Sequence, residues 1–170
     1  MVDEIERKWV VEEVPFDLSQ YPSKEIDQGY LQASLFFLEP RVSDENDEVR
    51  IRRKGIEYFL TVKSGSGLER SEAEPPIPKT TFNGIWPLTS KSEGGNGRVE
   101  KTRYEIPYES HTIELDVYHG DLEGRMTAEV EFDWVKGAME FQAPEWFRDE
   151  VTSDKRYKNF SLAKNGWPKD

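Results

Sequence analysis

The chain has 170 residues, 34 acidic against 23 basic, for a formal net charge of −11. That balance excludes broad binding to nucleic acid or anionic membranes, which needs a basic surface, and leaves open a local basic pocket or an oxygen-donor site for divalent cations. There is no cysteine and there are 2 histidines, which excludes disulfides, thiolate chemistry and a histidine–cysteine zinc centre.

No stretch approaches the roughly 20 apolar residues of a membrane span. The N-terminus is charged from Asp3 and lacks an apolar signal region. The expectation is one domain over residues 1–170, in the cytoplasm; no pattern fixes an oligomeric state.

Residues 2–12 read as a strand, with Glu4, Glu6 and Lys8 on one face and Ile5, Trp9 and Val11 on the other. Residues 15–23 read as a connection with room for a short helix, and 25–36 as a second strand. The acidic run at 39–47 lacks the glycine and spacing of a calcium loop and reads as a solvated tip. Residues 48–54 and 57–64 form a hairpin around Gly55. Glu48, Arg50, Arg52 and Lys54 share a face of its first arm; Phe59, Thr61 and Lys63 share a face of its second. Gly65-Ser66-Gly67 is a turn without the lysine of a phosphate loop. Residues 69–74 make a short strand carrying Glu72 and Glu74, ended by Pro75, Pro76 and Pro78.

A short helix is expected over 79–88, then a Gly/Ser/Asn loop over 90–97. Strands follow at 98–107, 111–118 and 125–132. Their polar faces carry Lys101, Arg103 and Glu105; Glu114, Asp116 and Tyr118; and Thr127, Glu129 and Glu131. Asp133 is the expected N-cap of a helix over 134–141. Residues 154–164, opening at Asp154, read as another short helix.

Two arrangements fit these strands. Either the apolar faces make the core and the charges face water, or an antiparallel sheet closes with its polar face inward. In the second, Trp134, Phe141, Trp146 and Phe160 would cover the apolar exterior. A charged interior must hold water, cations and a ligand matching both signs, because desolvating unpaired ions costs several kcal/mol each, order of magnitude. A polyanion with hard cations is such a match.

Glu4-x-Glu6-x-Lys8 resembles the signature of the CYTH superfamily, the triphosphate tunnel metalloenzymes. Gln28-Gly29-Tyr30, Arg50-Ile51-Arg52, Leu60-Thr61-Val62-Lys63, Arg70-x-Glu72-x-Glu74, Glu100-Lys101-Thr102-Arg103-Tyr104, Glu114-Leu115-Asp116-Val117, Glu129-Val130-Glu131 and the segment from Asp154 to Asn159 are similar, in the same order, to its small bacterial inorganic triphosphatases. The resemblance runs from about residue 3 to 164. It implies a mainly β (α+β) fold: a closed eight-stranded antiparallel β-barrel tunnel with a polar, charged interior and a few covering helices.

The resemblance also implies roles. Glu4, Glu6, Asp116, Glu129 and Glu131 would hold Mg²⁺ or Mn²⁺. Lys8, Arg50, Arg52, Lys63, Lys101, Arg103 and Arg156 would grip phosphate oxygens, and a Lys8–Tyr30 pair would help activate water. Glu72, Glu74 and Glu114 are left between orienting the bases and binding a second metal. The implied partner is a small-molecule triphosphate, and the reaction is hydrolysis of tripolyphosphate to pyrophosphate and phosphate. The alternatives are a class IV adenylyl cyclase, an organic triphosphatase acting on thiamine or nucleoside triphosphates, and a non-catalytic polyphosphate-binding module.

Overall fold

The computed structural model describes residues 5–35, 47–64 and 71–169. Glu4, most of the acidic run at 39–47 and the Gly65-Ser66-Gly67 turn lie outside the described residues. The strands are Ile5–Val11 (β1), Ser23–Leu31 (β2), Glu48–Lys54 (β3), Glu57–Ser64 (β4), Ser71–Ala73 (β5), Gly97–Tyr108 (β6), His111–Tyr118 (β7), Met126–Phe132 (β8) and Phe147–Glu150 (β9). The helices are Lys79–Ile85 (α1), Val135–Glu140 (α2) and Asn159–Asn165 (α3). The β1–β8, β1–β9, β2–β3, β3–β4, β4–β5, β6–β7 and β7–β8 pairings are antiparallel. The chain divides into two compact units. The first takes residues 1–24, 101–158 and 167–170, the second 25–100 and 159–166.

In the first unit β7, β8, β1 and β9 follow one another in the sheet, with residues 101–108 of β6 paired outside β7. Period-two alternation divides this sheet into two chemically opposite faces. Trp9 stands opposite Ala128, which stands opposite Leu115. With Val11, Ile106, Ile113, Val130 and Phe132 they form a buried apolar core. Covering it are Ala138 of α2, Phe141 and Phe147, whose rings lie 5.6 and 4.9 Å from that of Trp9. Each large side chain buried here contributes about 1.5–3 kcal/mol by area. Arg7 shares the apolar face and escapes at its edge. Its guanidinium bonds both oxygens of Glu150 (2.8 and 2.7 Å) and the Ala138 carbonyl, and lies over the Trp9 ring.

Three local expectations change in this unit. Residues 147–150 form a strand that the sequence reading did not contain; four residues flanked by Pro144 are too few for a periodic signal. Asp133 is not the cap of α2: Trp134 occupies that position and makes no side-chain cap bond. Phe141 and Trp146 cover the core as expected, but the Trp134 side chain is left 62% exposed.

In the second unit β2, β3, β4 and β5 pair in sequence order. The β3–β4 hairpin turns at Gly55, whose φ of 61° suits glycine. The apolar face carries Leu31, Val49 and Ile51, all buried. α1 starts after Pro78 and runs directly into a 3-10 turn, Trp86–Thr89, which has Pro at its start. Its Phe82 ring sits 5.0 Å from Tyr58 and is stacked 5.2 Å from Trp86. Gly29 lets that turn approach: a Cβ there would meet Thr89 at 2.6 Å. α3 buries Leu162 and Ala163, and its Phe160 meets Tyr30 edge-on at 5.3 Å.

Among the described residues the ladders end at β5 and at β9, and no pairing joins those ends. The fold is therefore a mainly antiparallel sheet with few helices, and the closed ring of the sequence reading is not formed by these pairings.

Candidate active site

The polar face of the first unit is organised in cross-strand rows. Lys101 stands opposite Tyr118. The next row is Arg103, Asp116, Thr127 and Val10; the next is Glu105, Glu114, Glu129 and Lys8; then come Glu131 and Glu6. Bases occupy one end of this face and carboxylates alone the other.

Asp116 is the hub. It is wholly buried and lies in the middle of β7. Lys101 Nζ donates to its Oδ2 at 2.6 Å, and Arg103 donates to both of its oxygens at 2.7 and 2.8 Å. Arg103 also bonds Glu114 and lies 3.8 Å from Glu129. Burial alone would raise the Asp116 pKa, but Lys101 and Arg103 together hold this carboxyl well below the usual carboxylate range. Burial pushes the Lys101 ammonium down to about 8 against the pull of Asp116. Arg103 stays charged, since its carboxylate neighbours outweigh desolvation.

Lys8 is buried one row further along. Its Nζ lies 3.1 Å from Glu129 and donates to the Tyr157 carbonyl at 2.9 Å. Desolvation would raise the Glu129 carboxyl, yet Lys8 and the other bases hold it low. Glu114 moves the other way: burial raises it, and Glu131, Glu129 and Asp116 add to that against Arg103. Glu6 and Glu131 are the open end of the face, both exposed.

Facing registers pair Glu6 with Glu131 and Glu114 with Glu129. Like charges directly opposite are destabilising, and a hard divalent cation is what such an oxygen-only donor set accommodates. Both Asp116 oxygens are held by bases, and Glu114 and Glu129 are paired with Arg103 and Lys8. Among the described residues no three acidic or imidazole groups converge at metal-ligand spacing, and Glu4 is outside them. The donor chemistry fits a hard cation at the Glu6–Glu131 end.

The second unit carries its own polar face: Gln28 and Tyr30 on β2, Arg50 and Arg52 on β3, Thr61 and Lys63 on β4, then Glu72 and Glu74. Glu74 ties these together. It accepts from Thr61 Oγ1 at 2.6 Å, from Arg52 at 2.9 Å and from Arg50 at 3.4 Å. Burial would raise its carboxyl, but the Thr61 hydroxyl and the two arginines leave it lowered. Arg50 also reaches Glu48 at 3.4 Å, while its Nε is buried with no hydrogen bond among the described residues. Lys63 stands 3.6 Å from Glu72. Tyr30 is fully buried, and its hydroxyl accepts from Gln28 Nε2 at 2.7 Å. Burial raises its phenol above the ordinary value, so the neutral hydroxyl is its form at physiological pH.

The sequence-predicted residues thus fall into two groups: Glu6, Lys8, Lys101, Arg103, Asp116, Glu129 and Glu131 on the first unit's face, and Tyr30, Arg50, Arg52 and Lys63 on the second's. Arg156 belongs to neither. It is largely exposed in the turn Lys155–Tyr157, and its guanidinium is bound to Asp154, the cap of that turn, at 2.6 Å. Sequence reasoning gave Glu74 and Glu114 no settled role; it placed Thr61 on the face of Lys63 but assigned it none, and its hydroxyl donates to Glu74.

The family model described as CYTH domain matches residues 3–165, and the chain belongs to this family. An inorganic triphosphatase of Nitrosomonas europaea is 44% identical over 163 residues, covering 94% of this chain and 96% of that protein. An inorganic triphosphatase of Acetivibrio thermocellus is 34% identical over 168 residues, covering 97% and 96%. The crystal structure of the inorganic triphosphatase NE1496 superposes with a TM-score of 0.72 at 40% identity, over 96% of this chain and 95% of that one.

Proposed function

We infer that this protein is a metal-dependent triphosphatase whose substrate is inorganic tripolyphosphate, cleaved to pyrophosphate and phosphate. Near-full-length identity to two inorganic triphosphatases supports the activity. The observation that carries the chemistry is the buried Lys101–Asp116–Arg103 cluster. Buried charges paired this closely, on a face graded from bases to carboxylates, suit a polyanion presented together with a cation.

In this proposal Lys8, Lys101 and Arg103, with Arg50, Arg52 and Lys63, hold phosphate oxygens, arginine in a forked geometry and lysine as a point charge. Arg156 joins them once released from Asp154. Glu4, Glu6, Glu129 and Glu131 are the ligands for Mg²⁺ or Mn²⁺, with Asp116 either completing the set or positioning Lys101 and Arg103. A cation held by these carboxylates would neutralise charge developing on the phosphoryl oxygens and lower the pKa of water. Lys8 and Tyr30 are assigned to the reacting centre, Tyr30 as a neutral hydroxyl that orients water. Closure of the strands into an eight-stranded tunnel, operation of both units as one domain and a cytoplasmic location belong to the same proposal; they rest on the family resemblance and the composition.

The test is phosphate release from tripolyphosphate with Mg²⁺, compared with Glu131→Gln, in which an exposed carboxylate becomes an isosteric amide. The unsubstituted protein should turn over and the variant should lose about 100-fold in rate, the worth of several kcal/mol of charge stabilisation. Binding without turnover would leave a polyphosphate-binding module instead. ATP and thiamine triphosphate measured in parallel rank the substrates, and cyclic AMP formed faster than tripolyphosphate is cleaved would make the protein a cyclase.

A further inference from the structure

We propose that Trp167 is a positioning residue for the reaction: through the Tyr157 carbonyl it fixes where the Lys8 ammonium points. This rests on the triphosphatase reading, in which Lys8 belongs to the reacting centre. The groups involved all lie in the first unit. A lysine is a point charge on a flexible stem and lacks the planar fork by which an arginine orients itself. Its direction is therefore set by what its ammonium bonds. Lys8 Nζ is bound to the Glu129 carboxylate at 3.1 Å and to the Tyr157 carbonyl at 2.9 Å. Glu129 also lies 3.8 Å from Arg103, so it is shared between two bases and does not by itself aim either one.

The carbonyl is placed by a closed ring of hydrogen bonds. Val151 N–H donates to the Lys8 carbonyl at 2.8 Å, Asp154 N–H to the Val151 carbonyl at 3.0 Å, and Tyr157 N–H to the Asp154 carbonyl at 3.1 Å. The Lys8 ammonium closes the ring on the Tyr157 carbonyl. Thr152 pins the near end: its hydroxyl accepts from Lys8 N–H at 3.0 Å and donates to Glu150 at 2.9 Å. Between these ends Ser153, Lys155 and Arg156 are exposed, and short turns with solvated backbone open readily. The Tyr157 ring ties down the far end. Trp167 meets it edge-on at 5.3 Å, packs against Tyr118 at 6.2 Å and has Arg125 over its own ring at 5.3 Å. Tyr118 is wholly buried in β7. The anchoring thus runs from the sheet, through the indole, to the carbonyl that holds Lys8.

Two readouts on the full chain test this: tripolyphosphate cleavage at saturating Mg²⁺, and the rate at which an amine-reactive ester modifies Lys8, followed by peptide mass. Trp167→Ala should lower kcat/KM about tenfold. It should raise Lys8 labelling about tenfold as the ring of hydrogen bonds opens, while Lys101, 2% exposed, is labelled no faster. Lys101 is the check because its ammonium lies over the Tyr118 ring, so a general loosening around Trp167 would free it too. Tyr157→Ala keeps the backbone carbonyl, removes the ring that Trp167 holds and leaves Tyr118 in place. It should reproduce both changes, and joining it to Trp167→Ala should add about twofold or less, since both cut one link. Trp167→Phe keeps an edge-on ring and should stay within about twofold of the unsubstituted protein. Full activity in Trp167→Ala, Lys101 labelled faster along with Lys8, no effect of Tyr157→Ala, or Trp167→Phe as damaging as Trp167→Ala overturns the positioning role and leaves the triphosphatase reading standing. No cleavage by the unsubstituted protein overturns that reading and this inference with it.

Discussion

The two units solve the same problem, a sheet face crowded with charge, in opposite ways. In the first, Lys101 and Asp116 are nearly or fully buried, and with Arg103 they satisfy one another at 2.6–2.8 Å. In the second, the carboxylate that organises the bases, Glu74, has a side chain still 29% exposed, and one of its arginines reaches it only at 3.4 Å. Removing water strengthens an ion pair and at the same time raises the cost of breaking it. The first face should behave as a rigid element whose parts stand or fall together, and the second as a set of more independent contacts.

The largest expected effect breaks the first face. Asp116→Ala leaves Lys101 and Arg103 buried without their shared counter-ion and should cost about 3–5 kcal/mol, read as the urea midpoint. A loss no larger than that of Glu74→Gln would erase the contrast between the units. Next is packing in the second unit. Gly29→Ala drives a Cβ into Thr89, which is fully buried and held by Trp86 and Arg98. It should cost roughly 1–3 kcal/mol, and a Gly29→Ala, Thr89→Ala double variant should recover part of it.

Smaller effects sharpen the comparison. Glu74 is depressed in the folded state, so its contribution is present above its unfolded pKa and lost as pH falls through the folded one. Between pH 6 and pH 3 the parent should therefore lose more stability than Glu74→Gln does, by about 1 kcal/mol or less given screening at a part-exposed site. Parallel acid-unfolding curves for the two proteins would refute this. The smallest change belongs to Trp134→Ala, expected within about 0.5 kcal/mol because the ring is mostly in solvent; a larger shift in melting temperature would mean that the indole is packed after all.

The sequence by itself determined which residues share a face. Glu6 with Lys8, Arg50 with Arg52, Lys101 with Arg103 and Glu129 with Glu131 are fixed by the two-residue period of a strand, and all stand where that period put them. Trp9 likewise lies on the face opposite Lys8, under Phe141 and Phe147. Register and partner choice were not available locally. Nothing in a single strand says that Asp116 will meet two bases while Glu131 meets Glu6, because that depends on which strands lie side by side and with what offset. The same holds for β9, for Trp134 left in solvent and for Arg156 turned onto Asp154. Each was decided by three-dimensional competition for partners, in which the nearest satisfying group wins over the one the pattern suggested.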